Sequence, residues 1–235
     1  MENVRQSNRI QTSLLNAAEK KALVWLAHRQ PRWVTSDMLT AVGFLGAFLT
    51  GLGFFLARYG VGWLWLSSAG LLVNWYGDSL DGTLARVRNT QRPLYGYYID
   101  HTVDCINEGM MFVGAGLSPF IRLDLALLVY VVYLALTINV SINAHLKSEF
   151  RLTYAKLGPT EFRILIVLAN TVLIACPRLA SMTGTLMLGG HCMTLHILDY
   201  VGMAILALLI IIYLATIVGD ARKYAAIDPP KSIKK

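Results

Sequence analysis

Apolar runs of about twenty residues recur along the chain, each long enough to cross a hydrocarbon core of about 30 Å as a helix. Charge and proline gather mostly in the segments between them. A hydropathy pass places six spans, over residues 38–57, 61–81, 95–118, 123–146, 163–181 and 196–218. Ahead of the first lies "NRIQTSLLNAAEKKALVWLAHRQPRW". There Ile10, Leu14, Ala17 and Ala18 share one helical stripe, with Lys20, Lys21 and Arg29 off it. This predicts an amphipathic helix lying in the membrane interface, with Trp25 and Trp33 near the head groups. A short helix packed on the bundle is the competing reading. The pattern predicts an all-α, polytopic membrane protein with an N-terminal interfacial helix. Residues 1–37 form the interfacial segment, 38–219 a six-helix transmembrane domain, and 220–235 a cytoplasmic tail ending in "DPPKSIKK".

Composition agrees. Only 15% of the 235 residues are charged and 55% are hydrophobic, whereas soluble domains carry about a quarter charged residues. Residues 1–16 have no apolar core of the kind a cleaved signal needs. With both termini in the cytoplasm, all but three of the 21 lysines and arginines fall on that side; Arg58, Arg122 and Arg178 lie across. That bias accounts for the net charge of +7 without a nucleic-acid partner, and it suits anionic lipid head groups. Of the three cysteines, Cys105 sits inside a span as packing; Cys176 and Cys192 flank an outward loop and are read as free thiols rather than a disulfide. In the first span Gly43, Ala47 and Gly51 recur at a spacing that lets helices approach closely in lipid.

The chemistry gathers in "GDSLDGTLARVRNTQRPLYGYYIDHTVD", residues 77–104. Asp78 and Asp81 are three apart and Asp100 and Asp104 four apart, so each pair projects from one helix face. A connection with Gly82 and Pro93 as breakers brings the two helix ends together, and four carboxylates converge at the membrane boundary. Unpaired, they would repel one another and be costly to bury. One or two divalent cations remove the conflict, and an all-oxygen set suits Mg²⁺, Mn²⁺ or Ca²⁺. Gly82, Ala85 and Gly96 leave space beside the acids, and Arg86 is a cation of the kind that grips phosphate. Together these fit a pyrophosphate.

The series Asp78-x2-Asp81-Gly82-x2-Ala85-Arg86-x9-Gly96-x3-Asp100-x3-Asp104 resembles the signature of the CDP-alcohol phosphotransferases, six-helix membrane enzymes of phospholipid synthesis. "VTSDMLT" faintly resembles another family segment, of which only Thr40 is carried over. The resemblance implies that Asp78, Asp81 and Asp100 ligate metal. Asp104 lies with them and acts as the base that takes the acceptor's hydroxyl proton. Gly82, Ala85 and Arg86 hold the CDP part of the donor, and Gly96 eases helix contact. It further implies two Mg²⁺ or Mn²⁺ ions, a homodimer, and an active site facing the cytoplasm, as in a bacterial inner membrane. The expected reaction moves a phosphatidyl group from CDP-diacylglycerol to a small polar alcohol, releasing CMP. Transfer of a phospho-head-group from a soluble CDP-alcohol to diacylglycerol remains open, and so does a different class, a divalent-cation transporter.

Other polar residues are less specific. Glu108, one turn past Asp104, is read as helix-to-helix glue toward Asn74, Asn139 or Asn143, with a place at the acidic site as the alternative. Asn139, Asn143 and His145 are read as packing contacts. The loop "HLKSEFRLTYAKLGPTEFRIL" carries Lys147, Arg151, Lys156 and Arg163, and its Gly-Pro-Thr-Glu-x-Arg segment resembles one in some bacterial members of the family. Lys147, Arg151 and Arg163 are candidate contacts for an anionic, phosphorylated acceptor, although the positive-inside rule alone also places cations there.

Overall fold

A computed structural model of the chain describes residues 8–10, 16–147, 149–151, 159–188 and 191–230. The side chains of 8–10, 16, 144, 145, 147, 149–151, 188 and 191 lie outside the described set. Strand β1 (Asn8–Ile10) precedes helices α1 (Asn16–Arg29), α2 (Ser36–Leu56), α3 (Leu64–Val87), α4 (Pro93–Gly116) and α5 (Leu123–Lys147). Strand β2 (Glu149–Arg151) is followed by α6 (Pro159–Ala175) and the short α7 (Pro177–Ala180). A hairpin of β3 (Thr183–Leu188) and β4 (His191–His196) then leads into α8 (Ile197–Ile227). Among the described residues six long helices overlap the regions where six spans were expected. Three regions, Ser36–Tyr59, Leu123–Asn143 and Ile197–Ile227, are long and apolar enough to cross a membrane. Helices α3 and α4 carry the aspartates within their length, and α6 has 17 residues.

Several boundaries differ from the sequence reading. Residues 8–10 do not extend the first helix; β1 pairs in parallel with β2, placing Asn8 opposite Glu149 and Ile10 opposite Arg151. Helix α1 turns a different face inward than the Ile10–Ala18 stripe. Ala17 and Ala18 are exposed, while Leu23 and Ala27 bury against Leu80 and Leu84 of α3. It therefore packs on the bundle through its C-terminal half, with Trp25 and Trp33 exposed. Arg88 fixes the α1–α2 link by donating to the carbonyls of Gln30, Pro31 and Val34. The connection from α7 to α8 contains the antiparallel β3–β4 hairpin, and all three cysteines are free. Helix α8 runs on to Ile227, past the expected end of its span.

Small residues set the packing of α2. A β-carbon at Gly46 would stand 2.7 Å from the Asn74 Cα, and one at Gly53 would stand 2.7 Å from the Ser67 Cα, so α2 and α3 touch backbone to backbone. On another face, a β-carbon at Gly51 would come within 2.5 Å of the Met110 carbonyl oxygen of α4. The predicted Gly43–Ala47–Gly51 stripe is thus one part of a broader small-residue surface contacting two neighbours. Asn74 secures the first contact by donating to the Gly43 carbonyl at 3.0 Å.

Candidate active site

Close approach of α2, α3 and α4 determines where the acids sit. Gly82 does not break α3, which runs on to Val87. A helical glycine costs only about 1 kcal/mol relative to alanine, and buried Leu80 and Leu84 on either side anchor the helix to the core. The turn to α4 is therefore short: it spans residues 88–92, with Asn89 in the left-handed region at φ 54°. Pro93 opens α4 at its first turn, where its fixed φ suits a helix and its missing N–H is not needed.

This hairpin brings Asp78, Asp100 and Asp104 together, each offering an oxygen within 4.8 Å of the other two. Asp81 lies one turn along α3 and faces α2. Its carboxylate accepts from the Thr40 hydroxyl at 2.6 Å and from the Gly82 backbone N–H. Ser36 donates to the Asp81 carbonyl at 2.9 Å. Thr40, carried over from a faint echo, is thus the residue that orients Asp81. All four acids and Thr40 line one cavity of about 10 Å³, room for about one water-sized sphere. Oxygens from three or four carboxylates, with no histidine or thiol among them, match a hard divalent cation. The donor set fits Mg²⁺ or Mn²⁺.

Arg163, at the start of α6, donates to Asp78 at 2.6 Å, and both side chains are largely buried. An expected acceptor contact therefore reaches the acids directly. Lys147 ends α5 and Arg151 lies in β2, but their side chains fall outside the described residues, as does Lys156 altogether. Arg86 is exposed and donates to Thr83 at 2.9 Å. Its guanidinium passes Gly82, where a β-carbon would meet it at 3.4 Å, and Ala85 is half-buried beside it. A β-carbon at Gly96 would meet nothing within 4 Å. Among the described residues this glycine faces open space and eases no helix contact.

Glu108 accepts from Tyr133 of α5. Asn143 joins α5 to α8, donating to Asp220 at 2.7 Å and accepting from Tyr224 at 2.7 Å. It is a packing residue, as its position suggested. Asn107, outside the signature, also lines the acidic cavity. Its spacing of three from Asp104 was the available signal.

The sequence profile of a family described as CDP-alcohol phosphatidyltransferase matches residues 33–213. Over 86 residues the chain is 35% identical to a phosphatidylinositol phosphate synthase of Cutibacterium acnes. That stretch is 36% of this chain and spans 38% of the relative's length.

Proposed function

Because the chain belongs to the CDP-alcohol phosphatidyltransferase family, we propose that it moves a phosphatidyl group from CDP-diacylglycerol to a small polar alcohol and releases CMP. The observation that carries this reading is the meeting of Asp78, Asp100 and Asp104 within 4.8 Å, with Asp81 held beside them by Thr40. These four carboxylates would hold one or two Mg²⁺ or Mn²⁺ ions, which when bound offset the charge of the donor pyrophosphate and of departing CMP. Asp104 takes the proton of the acceptor hydroxyl as its oxygen bonds to the phosphatidyl phosphorus and the bond to CMP breaks. Gly82, Ala85 and Arg86 bound the open side of α3 and hold the CDP part, Arg86 through charge-assisted hydrogen bonds to phosphate.

The catalytic domain is residues 38–219, six spans with both termini and the acids on the cytoplasmic side, a placement supported by the loop charges. It acts as a homodimer in a bacterial inner membrane, by family resemblance. The acceptor is phosphorylated. Two observations favour this: Arg163 enters the acidic site, and the C. acnes relative is named for a product with a phosphorylated head group. Lys147 and Arg151 join Arg163 around that phosphate.

The test is CMP release by the purified full chain, supplied with CDP-diacylglycerol and a panel of glycerol 3-phosphate, inositol phosphate, inositol and serine. The expected result is release that requires an acceptor and is fastest with a phosphorylated one. Release from a soluble CDP-alcohol plus diacylglycerol, but not from CDP-diacylglycerol, would reverse the donor assignment. No release with any pair would overturn the reading.

A further inference from the structure

Asn107 follows Asp104 by three residues and Asp100 by seven, so all three lie on one stripe of α4. It is 4% exposed, and its Oδ1 is buried without a hydrogen-bond partner among the described residues. It lines the same cavity as Asp78, Asp81, Asp100 and Asp104.

Its neighbours in that cavity explain why the oxygen lacks a partner. Ionised, as they would be when holding a cation, the carboxylates only accept hydrogen bonds. The Thr40 hydroxyl is committed to Asp81 at 2.6 Å. Gly43 offers its carbonyl, which already accepts from Asn74. An acceptor surrounded by acceptors gains nothing from any of them. Burying such a carbonyl is unfavourable unless something electropositive meets it. A cation in the cavity meets this need and serves the carboxylates as well, and amide carbonyls are ordinary ligands of hard divalent ions.

We propose that Asn107 is a further, neutral oxygen ligand of the divalent cation held by Asp78, Asp100 and Asp104. The inference rests on the metal site proposed above and adds to it a residue that the aspartate signature does not contain. A neutral ligand strengthens coordination without adding a fifth negative charge to a cluster already dense in carboxylates. Asn107 itself stands one helical turn beyond Asp104 along α4.

The experiment uses the full chain in detergent and Mn²⁺ alone as the probe, with bound ion followed by the loss of its free electron paramagnetic resonance signal. Thermal midpoints are measured in parallel in EDTA. Asn107→Leu keeps the side chain's size and removes its oxygen. It should weaken Mn²⁺ binding by about tenfold to a hundredfold, the range seen even for residues that only support a ligand. Its midpoint in EDTA should be unchanged or higher, because an unpartnered buried carbonyl is gone. Asn107→Asp keeps an oxygen in place and should hold Mn²⁺ at least as tightly as the parent. Parental Mn²⁺ affinity in Asn107→Leu overturns the inference. So does a lower midpoint in EDTA without weaker Mn²⁺ binding, which would mean that the amide instead donates to the acids as a structural brace. Should Asn107→Leu fail to fold, Asn107→Asp decides: loss of Mn²⁺ affinity there overturns the inference. If the parent protein itself binds no Mn²⁺, the metal-site reading fails first, an outcome distinct from the others.

Discussion

Replacing Gly46 with alanine probes how far the acids depend on the approach of α2 to α3. The added β-carbon would stand 2.7 Å from the Asn74 Cα and 2.8 Å from the Gly70 carbonyl oxygen, where ordinary contact begins near 3.4 Å. Those are backbone atoms, with no rotamer by which to retreat. The helices must part by roughly 1 Å, and overpacking of this kind costs about 1–3 kcal/mol. With two backbone clashes the upper half of that range applies, and alanine's better helix propensity returns about 1 kcal/mol. The net expectation is a loss of about 1–2 kcal/mol. The Thr40–Asp81 hydrogen bond, at 2.6 Å, joins the same two helices. A displacement of roughly 1 Å there breaks it, and misplacement on that scale can cost a hundredfold in rate. Thermal unfolding in detergent and CMP release measure the two effects. Gly219→Ala in α8 is the control: its β-carbon would meet nothing within 4 Å, so stability should hold or rise. If Gly46→Ala unfolds at the parental temperature and releases CMP at the parental rate, the site does not depend on this contact.

Exhaustive EDTA treatment should abolish transfer and Mg²⁺ or Mn²⁺ should restore it; Asp81→Asn should cut the rate by orders of magnitude in a protein that stays folded, and full activity after chelation would rule out the metal reading. Asp104→Asn should lose most turnover yet still bind CDP-diacylglycerol in an equilibrium assay, since Asp78, Asp81 and Asp100 remain; loss of donor binding would make Asp104 chiefly a ligand. Arg163→Ala should raise the acceptor KM about tenfold to a hundredfold, the loss of a hydrogen bond between charged groups, with the donor KM little changed. A change in Mn²⁺ affinity with an unaltered acceptor KM would instead make Arg163 a brace for Asp78.

The positions of the long helices were legible because apolar runs of that length have few other uses. The acids were legible because spacings of three and four translate directly into one helix face. Other features depended on partners distant in sequence. Gly82 reads locally as a breaker, but Leu80 and Leu84 pack against α1 and carry the helix through it. The inward face of α1, with Leu23 and Ala27, is set by α3, a partner that its own sequence does not reveal. The pairing of β1 with β2 joins segments far apart in the chain, and three-residue strands leave no periodic signal. Asn107 carried no charge to draw notice. Its significance comes from which groups around it have already spent their donors.

The ion pair between Arg163 and Asp78 also has a consequence for the order of synthesis. Thr40, the four aspartates and Asn107 all lie in one early stretch, whereas Arg163 comes about fifty residues after Asn107, a delay of roughly three to ten seconds at ordinary translation rates. Until then Asp78 lacks the arginine that it pairs with in the folded chain. The early helices must therefore tolerate these acids within their length, without that partner, until α6 is made.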